Sequence, residues 1–149
     1  MPTDIRPADS PEAARVHAVL DDFHAAASAA NEERYFVNLA PGAVFLGTDA
    51  GERWAGEDFQ AFVHPLFSRG RGWTYAPSSR SVAIAADGRT AWFDERLQND
   101  WYGECRGTGV LQLHEGAWKI EQYSLSIPIP NELATEVVAL IRETAEAQG

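Results

Sequence analysis

Cysteine is almost missing from this chain. A single Cys105 in 149 residues rules out an internal disulfide and a cysteine-built metal site, and it fits a reducing cytoplasm. Positive charge is also scarce. Twelve Lys and Arg stand against 22 Asp and Glu, a net charge of −10. Nucleic-acid backbones and anionic membrane surfaces both need clustered basic residues, so neither is an expected partner. No apolar run is long enough to span a bilayer, and the polar start, Met1–Ser10 with its two prolines, has no apolar segment of a signal sequence. This segment reads as a flexible N-terminus. A Gly-rich phosphate loop, a nucleophile elbow and a His-Glu-x-x-His motif are all absent. No metal and no cofactor are expected.

What the chain has is enough apolar material for one core. Hydrophobic residues make up 45%, and the length suits a single domain over residues 11–149. The most ordered stretch is Trp73 to Ile127. It reads as four antiparallel strands, Trp73–Ala85, Arg89–Gln98, Cys105–His114 and Ala117–Ile127, with Asp87-Gly88 and Glu115-Gly116 as turns. Gly, and Asp or Asn beside it, tolerate the positive φ that tight hairpin loops require.

Turn positions fix register. A two-residue loop at Glu115-Gly116 sets Leu113 against Trp118, Leu111 against Ile120, Gly109 against Gln122 and Gly107 against Ser124, all on one face. That face is apolar near the turn and becomes small and polar further along, as a core running into a cavity would. The same count at Asp87-Gly88 sets Ile84 against Ala91, Val82 against Phe93 and Arg80 against Glu95. An Arg and a Glu would then face each other inside. A three-residue loop with a Gly bulge would instead turn Trp92, Asp94 and Arg96 inward.

Helices flank these strands. Ser10-Pro11 opens the first, with Val16, Val19, Leu20, Phe23, Ala26 and Ala27 at helical spacing. Asn31 caps a short second helix over Glu32–Leu39. Ala43–Thr48 is a short strand and Asp49–Glu52 a turn. Gly56–Phe67 is a third helix, which Pro65 should kink or end early. Asn131 caps a last helix with Leu133, Val137, Leu140 and Ile141 as its apolar stripe. Helices gathered on one side of an antiparallel sheet give an α+β domain.

This element order, with the segments AVFLGTDAGERWAG, DGRTAWFDERL and GAWKIEQYSLSIPIPNE, resembles the nuclear transport factor 2-like superfamily and its SnoaL-like branch. The resemblance covers Glu12 to the end. It implies a cone-shaped, curved antiparallel sheet wrapped around the N-terminal helices, a C-terminal helix, a pocket at the open end and a homodimer through the outer sheet face. Enzymes of the superfamily include ketosteroid isomerase, polyketide cyclases and scytalone dehydratase. The isomerase base would fall near Leu46-Gly47 and its sheet Asp near Gly109, and neither position is acidic. The isomerase Tyr would lie on the first helix, which has none. That mechanism is therefore not carried over.

The candidate catalytic residues are Glu95, as a base, and Arg80, as its partner. A structural ion pair is the competing reading. Gln122, Phe93, Trp54, Tyr35 and His64 are candidate ligand-binding residues. His17, Asp21 and His24 share a helix face at a spacing that can hold a metal, but they sit about 90° from the apolar stripe and read as a water-exposed boundary. The expected function is a small-molecule pocket for a largely apolar carbonyl compound, acting as a cofactor-free isomerase, dehydratase or cyclase. The alternative is a dimeric binding or accessory module with no chemistry.

Overall fold

The structure is a computed structural model that describes residues 10–148. The expectation of a flexible N-terminus therefore lies, apart from Ser10, outside the described residues. The elements run α1 Pro11–Ser28, α2 Glu32–Val37, β1 Leu39–Leu46, β2 Arg53–Ala55, α3 Glu57–Ser68, β3 Ala76–Ile84, β4 Thr90–Asn99, β5 Gly103–His114, β6 Ala117–Ser126, a short 3₁₀ turn Asn131–Leu133 and α4 Ala134–Gln148. The six strands form one curved sheet in the order β2-β1-β6-β5-β4-β3. It is left open between β2 and β3. The expected α+β class holds. One pair departs from the antiparallel pattern, since β1 runs parallel to β6.

Local chemistry sets the boundaries. Ser10 caps α1 by accepting a hydrogen bond from the Ala13 amide at 3.1 Å, and Asn31 caps α2 through the Arg34 amide; each side chain fills a donor that the first turn leaves open. Helix α3 passes through Pro65 and ends three residues later at Ser68, so the expected early stop does not occur. Asn131 opens the 3₁₀ turn and does not cap α4. Helix α4 buries none of its residues, and Leu140 and Ile141 stand exposed.

The concave face of the sheet closes on α1. Val16, Leu20 and Phe23 from the helix meet Val82, Ile84, Phe93, Leu111, Ile120 and Tyr123 from the strands in one buried cluster. At Glu115-Gly116 both residues take positive φ, +50° and +85°, the geometry of a two-residue hairpin turn. Leu113 pairs with Trp118 and Leu111 with Ile120, as the turn count requires. At the other hairpin Arg80 pairs with Glu95, Val82 with Phe93 and Ile84 with Ala91. The loop there is longer than two residues, because Ala85 bonds Thr90 across Ala86–Arg89, but it keeps the same register. Trp92, Asp94 and Arg96 are exposed on the outer face, so the bulged alternative is excluded.

One register differs. Beyond Ile120 the β5–β6 ladder shifts, and Val110 pairs with Gln122, Gly109 with Tyr123 and Gly107 with Leu125. Glu121 is the extra residue of a β-bulge. Gln122 consequently points to the outer face and is exposed, while Tyr123 points inward and is 1% exposed.

Candidate functional site

Glu95 is the centre of a polar cluster under the concave face. It projects from the middle of β4 and is 2% exposed. Its Oε1 accepts from Arg80 Nε at 2.7 Å. Its Oε2 lies 2.7 Å from His24 Nε2 and accepts from the Tyr123 hydroxyl at 2.5 Å. A buried carboxylate needs this many donors, because an unpaired charge in a low-dielectric interior is expensive.

The register makes room for the cluster. Opposite Glu95 stands Gly107. A Cβ there would meet the Tyr123 hydroxyl oxygen at 2.0 Å and Glu95 Oε2 at 2.7 Å. The small residues of β5 thus do not open a cavity, as the sequence pattern suggested. They admit Tyr123, Glu95 and Phe93, whose ring would lie 2.9 Å from a Cβ at Gly109.

Arg80 reaches from β3 across to α1. Its Nη1 lies 3.0 Å from Asp21 Oδ1 and donates to His17 Nδ1 at 3.2 Å and to the His17 carbonyl at 3.3 Å. Its side chain is 5% exposed, and its Nη2 has no hydrogen-bond partner among the described residues. Of the face expected to be a water-exposed boundary, Asp21 is exposed and His17 half-buried, and only His24 departs from it. His24 is buried and bonded to Glu95, and the other two hold Arg80. Among the described residues no group of three or more His, Cys, Asp or Glu side chains is arranged to hold a metal ion.

These contacts set the protonation states. Burial pushes the Glu95 carboxyl up, but the His24 hydrogen bond and charge, the Tyr123 hydrogen bond and the Arg80 charge together hold it below the ordinary carboxylate value. Tyr123 is driven well above the ordinary phenol value by burial and by the adjacent Glu95 charge, so its O–H is a permanent donor. His17 is lowered, first by burial and then by the Arg80 guanidinium. A neutral His17 fits the bond it accepts from Arg80.

An aromatic cavity lies beside this cluster. It measures about 210 Å³ and is walled by Phe45, Phe59, Phe62, Trp73 and Tyr75, with Glu52 at its edge. Phe45, Trp73, Tyr75 and Leu125 also line a separate inner chamber of about 10 Å³, room for about one water molecule. His24, Tyr123 and Tyr35 form the chamber's end wall. A wider groove of about 610 Å³ between Phe36–Ala43 and Gly56–Gln60 shares no residue with the Glu95 cluster.

The structure thus brings Arg80 and Glu95 together. Tyr35 is buried in the chamber wall, and Phe93 packs on Tyr123 with ring centroids 5.7 Å apart. Trp54 stacks on Phe62 at the cavity rim, centroids 4.5 Å apart. Gln122 and His64 are elsewhere. The bulge carries Gln122 to the outer face. His64 is a surface side chain, 67% exposed, 2.8 Å from Glu32. His24, Tyr123, Trp73 and Tyr75 were not anticipated. Two of them left a trace in the sequence. Residues 118, 120, 123 and 125 are the inward positions of β6, and the gap of three between 120 and 123 marks a phase slip. His24 follows Leu20 by four residues, about 40° around the helix, at the edge of the buried stripe.

Residues 16–130 match the family described as the SnoaL-like domain. No curated protein matches the chain in sequence. Several solved structures are similar in fold. An NTF2-like protein of unknown function from Pseudomonas putida is 13% identical, with 80% of this chain and 88% of that one covered at a TM-score of 0.67. A Xanthomonas campestris chain, provisionally assigned as a calcium/calmodulin dependent protein kinase II association domain, is 25% identical over 87% of this chain and 96% of its own, TM-score 0.61. A Streptomyces avermitilis chain, provisionally assigned as a dehydratase of the NTF2-like family, is 12% identical over 80% and 97%, TM-score 0.65.

Proposed function

The chain belongs to the SnoaL-like domain family, and from that premise we propose that it binds a small, largely apolar carbonyl compound in the aromatic cavity and moves a proton on it. The observation that carries this reading is the end wall of the chamber. Two of its side chains, His24 and Tyr123, are hydrogen-bonded to one buried carboxylate, Glu95. An apolar pocket with a few convergent polar groups is the usual form of a ligand site. Isomerisation, dehydration and cyclisation of a carbonyl compound need a positioned proton acceptor and donor, and no cofactor. In this reading Glu95 supplies the negative charge of the site and Arg80 fixes it in place.

The cavity also limits the ligand. Its volume, about 210 Å³, is smaller than typical drug-sized pockets, which begin near roughly 300 Å³. A compact cyclic ketone suits it better than a long chain. The aromatic walls favour a flat ring, which stacks on Phe45 or Trp73.

A binding module without chemistry is the second reading. It is favoured by the closed state of the cluster, since both Glu95 oxygens are already engaged and the side chain is fully buried. Both readings predict binding. The test is quenching of Trp73 fluorescence by 2-tetralone, with a Trp73→Phe variant to subtract the other tryptophans. Saturable quenching that is lost in Leu125→Trp, whose larger side chain would fill the cavity that Leu125 lines, is expected. Quenching that never saturates would refute the pocket.

A further inference from the structure

We infer that the aromatic cavity is a cation site, and that the compound it takes carries a compact methylated ammonium group. This rests on the pocket reading above, because the same cavity of about 210 Å³ is the site. Most of its lining is aromatic, and the rings come from separate parts of the chain. Phe45 stands on β1, Phe59 and Phe62 on α3, Trp73 and Tyr75 just before β3, and Tyr102 in the turn between β4 and β5. An occupant is therefore walled by rings on several sides. Ring faces are negative, and a cation within about 6 Å of a ring centroid is attracted to it.

The charge of the lining matches. Among the described residues of that lining, Glu52 is the one charged side chain. It forms no ion pair among the described residues. Its Oε1 accepts from the Asp49 amide at 2.9 Å, and its Oε2 has no hydrogen-bond partner among the described residues. The carboxylate acts across the cavity: burial first, and then neighbouring groups that include Glu52, push the Tyr75 phenol up to about 12. A carboxylate without a counter-ion at the edge of an aromatic box is the complement of a cation. The chain as a whole carries −10, which draws cations toward it.

The kind of cation follows from the walls. A primary ammonium brings three N–H donors and a tight shell of water. Most of the surface here is ring carbon, which cannot replace that shell. A quaternary ammonium brings no donors, and its methyl groups pack against rings and against Leu66 and Leu125. The cage is also set in advance. Asn99 ties two of its walls together, since Oδ1 accepts from the Tyr102 amide at 2.7 Å and Nδ2 donates to the Thr74 carbonyl, between Trp73 and Tyr75, at 3.0 Å. Rings already in place lose little freedom when a ligand arrives.

The test uses two ligands of one shape, choline and 3,3-dimethylbutan-1-ol, in which a neutral carbon stands where choline has its nitrogen. Both are titrated by calorimetry into the whole chain at low salt, beside 2-tetralone followed by Trp73 fluorescence. Choline should bind about tenfold more tightly than the alcohol, and added sodium chloride should narrow the difference. Glu52→Gln keeps an oxygen for the Asp49 amide, and Tyr102→Leu removes a ring that is 43% exposed. Each should lower the affinity for choline more than the affinity for the alcohol. Choline that binds no more tightly than the alcohol, or not at all, overturns the inference, as does a preference that both variants leave intact; in these cases saturable binding of 2-tetralone keeps the pocket reading. If Glu52→Gln does not fold, Tyr102→Leu and the wild-type comparison decide. Wild type that binds none of the three compounds removes the pocket reading and this inference together.

Discussion

Replacing Glu95 by Gln tests the cluster most directly. The amide has nearly the same shape, so packing is preserved and only hydrogen bonding and charge change. All three partners of Glu95 are donors. An amide has one acceptor oxygen, so its N–H₂ must point at either Arg80 or the His24–Tyr123 pair. Arg80 loses its buried counter-charge and keeps Asp21, whose side chain is 66% exposed and screened by water. Removing one partner of a buried pair costs about 3–5 kcal/mol. For a chain of this size, ~2–4 °C per kcal/mol gives a melting-point drop of ~6–20 °C. Urea unfolding at pH 7, followed by circular dichroism, measures the free-energy loss, and a thermal melt the drop in melting point. The double variant Arg80→Met/Glu95→Leu removes the charges but leaves His24 Nε2 and the Tyr123 hydroxyl without their acceptor. Each orphaned donor costs about 1–3 kcal/mol, although the two atoms lie 3.4 Å apart and can partly satisfy each other. The double variant should therefore recover only part of the loss, and adding Tyr123→Phe should recover more. A Glu95→Gln protein that unfolds within about 0.5 kcal/mol of wild type, the range of an inert surface change, would refute a loaded, buried cluster.

Acid stability should carry the mark of the same residue. Burial opposes ionisation of Glu95, and its donors overcome that to hold the folded value below the 4.5 of an unfolded chain. Its contribution is then complete above pH 4.5 and is lost as pH falls below it, so Glu95→Gln should flatten the pH dependence of unfolding free energy in that window. At the other end Tyr123 is raised above 10.0, so its contribution is present below pH 10 and lost as pH climbs past it; Tyr123→Phe should weaken the alkaline limb. Gly107→Ala should destabilise by several kcal/mol, because its methyl group falls on the Tyr123 hydroxyl; a thermal melt unchanged from wild type would show that β5 lies elsewhere. We expect a homodimer through the outer sheet face, where Trp92 stands 42% exposed beside Val110. Sedimentation at micromolar concentration should show it and Trp92→Asp should weaken it, whereas a clean wild-type monomer would count against it.

The parts of this molecule that the sequence made legible are those governed by local arithmetic. A turn at 87–88 and strict alternation are enough to set Arg80 against Glu95 and Val82 against Phe93. The same arithmetic fails along β6, because a bulge breaks the alternation between Ile120 and Gln122; Gln122 is expected inside for that reason alone. His24 was misjudged for a different reason. A helical wheel ranks residues by their distance from the apolar stripe, which assumes a flat partner. The sheet here is concave, so it contacts α1 over more than the stripe, and it meets the polar flank with Arg80 and Glu95. Burial of a His next to Leu20 depends on those partners, and they are 56 and 71 residues away in the chain. The exposure of α4 was not legible either, since Val137, Leu140 and Ile141 follow the pattern of a buried face.

The bulge at Glu121 has a consequence for how this strand tolerates changes in length. Glu121 is supernumerary to the ladder, so deleting it would leave Ile120 opposite Leu111 and Tyr123 opposite Gly109, with the inner face intact. An insertion or deletion between Gln122 and Leu125 would instead throw Tyr123 or Leu125 to the other side and open the end wall of the chamber. Residue 121 is therefore where this strand could change length with its inner face unshifted, at the loss of the Glu121–His114 ion pair.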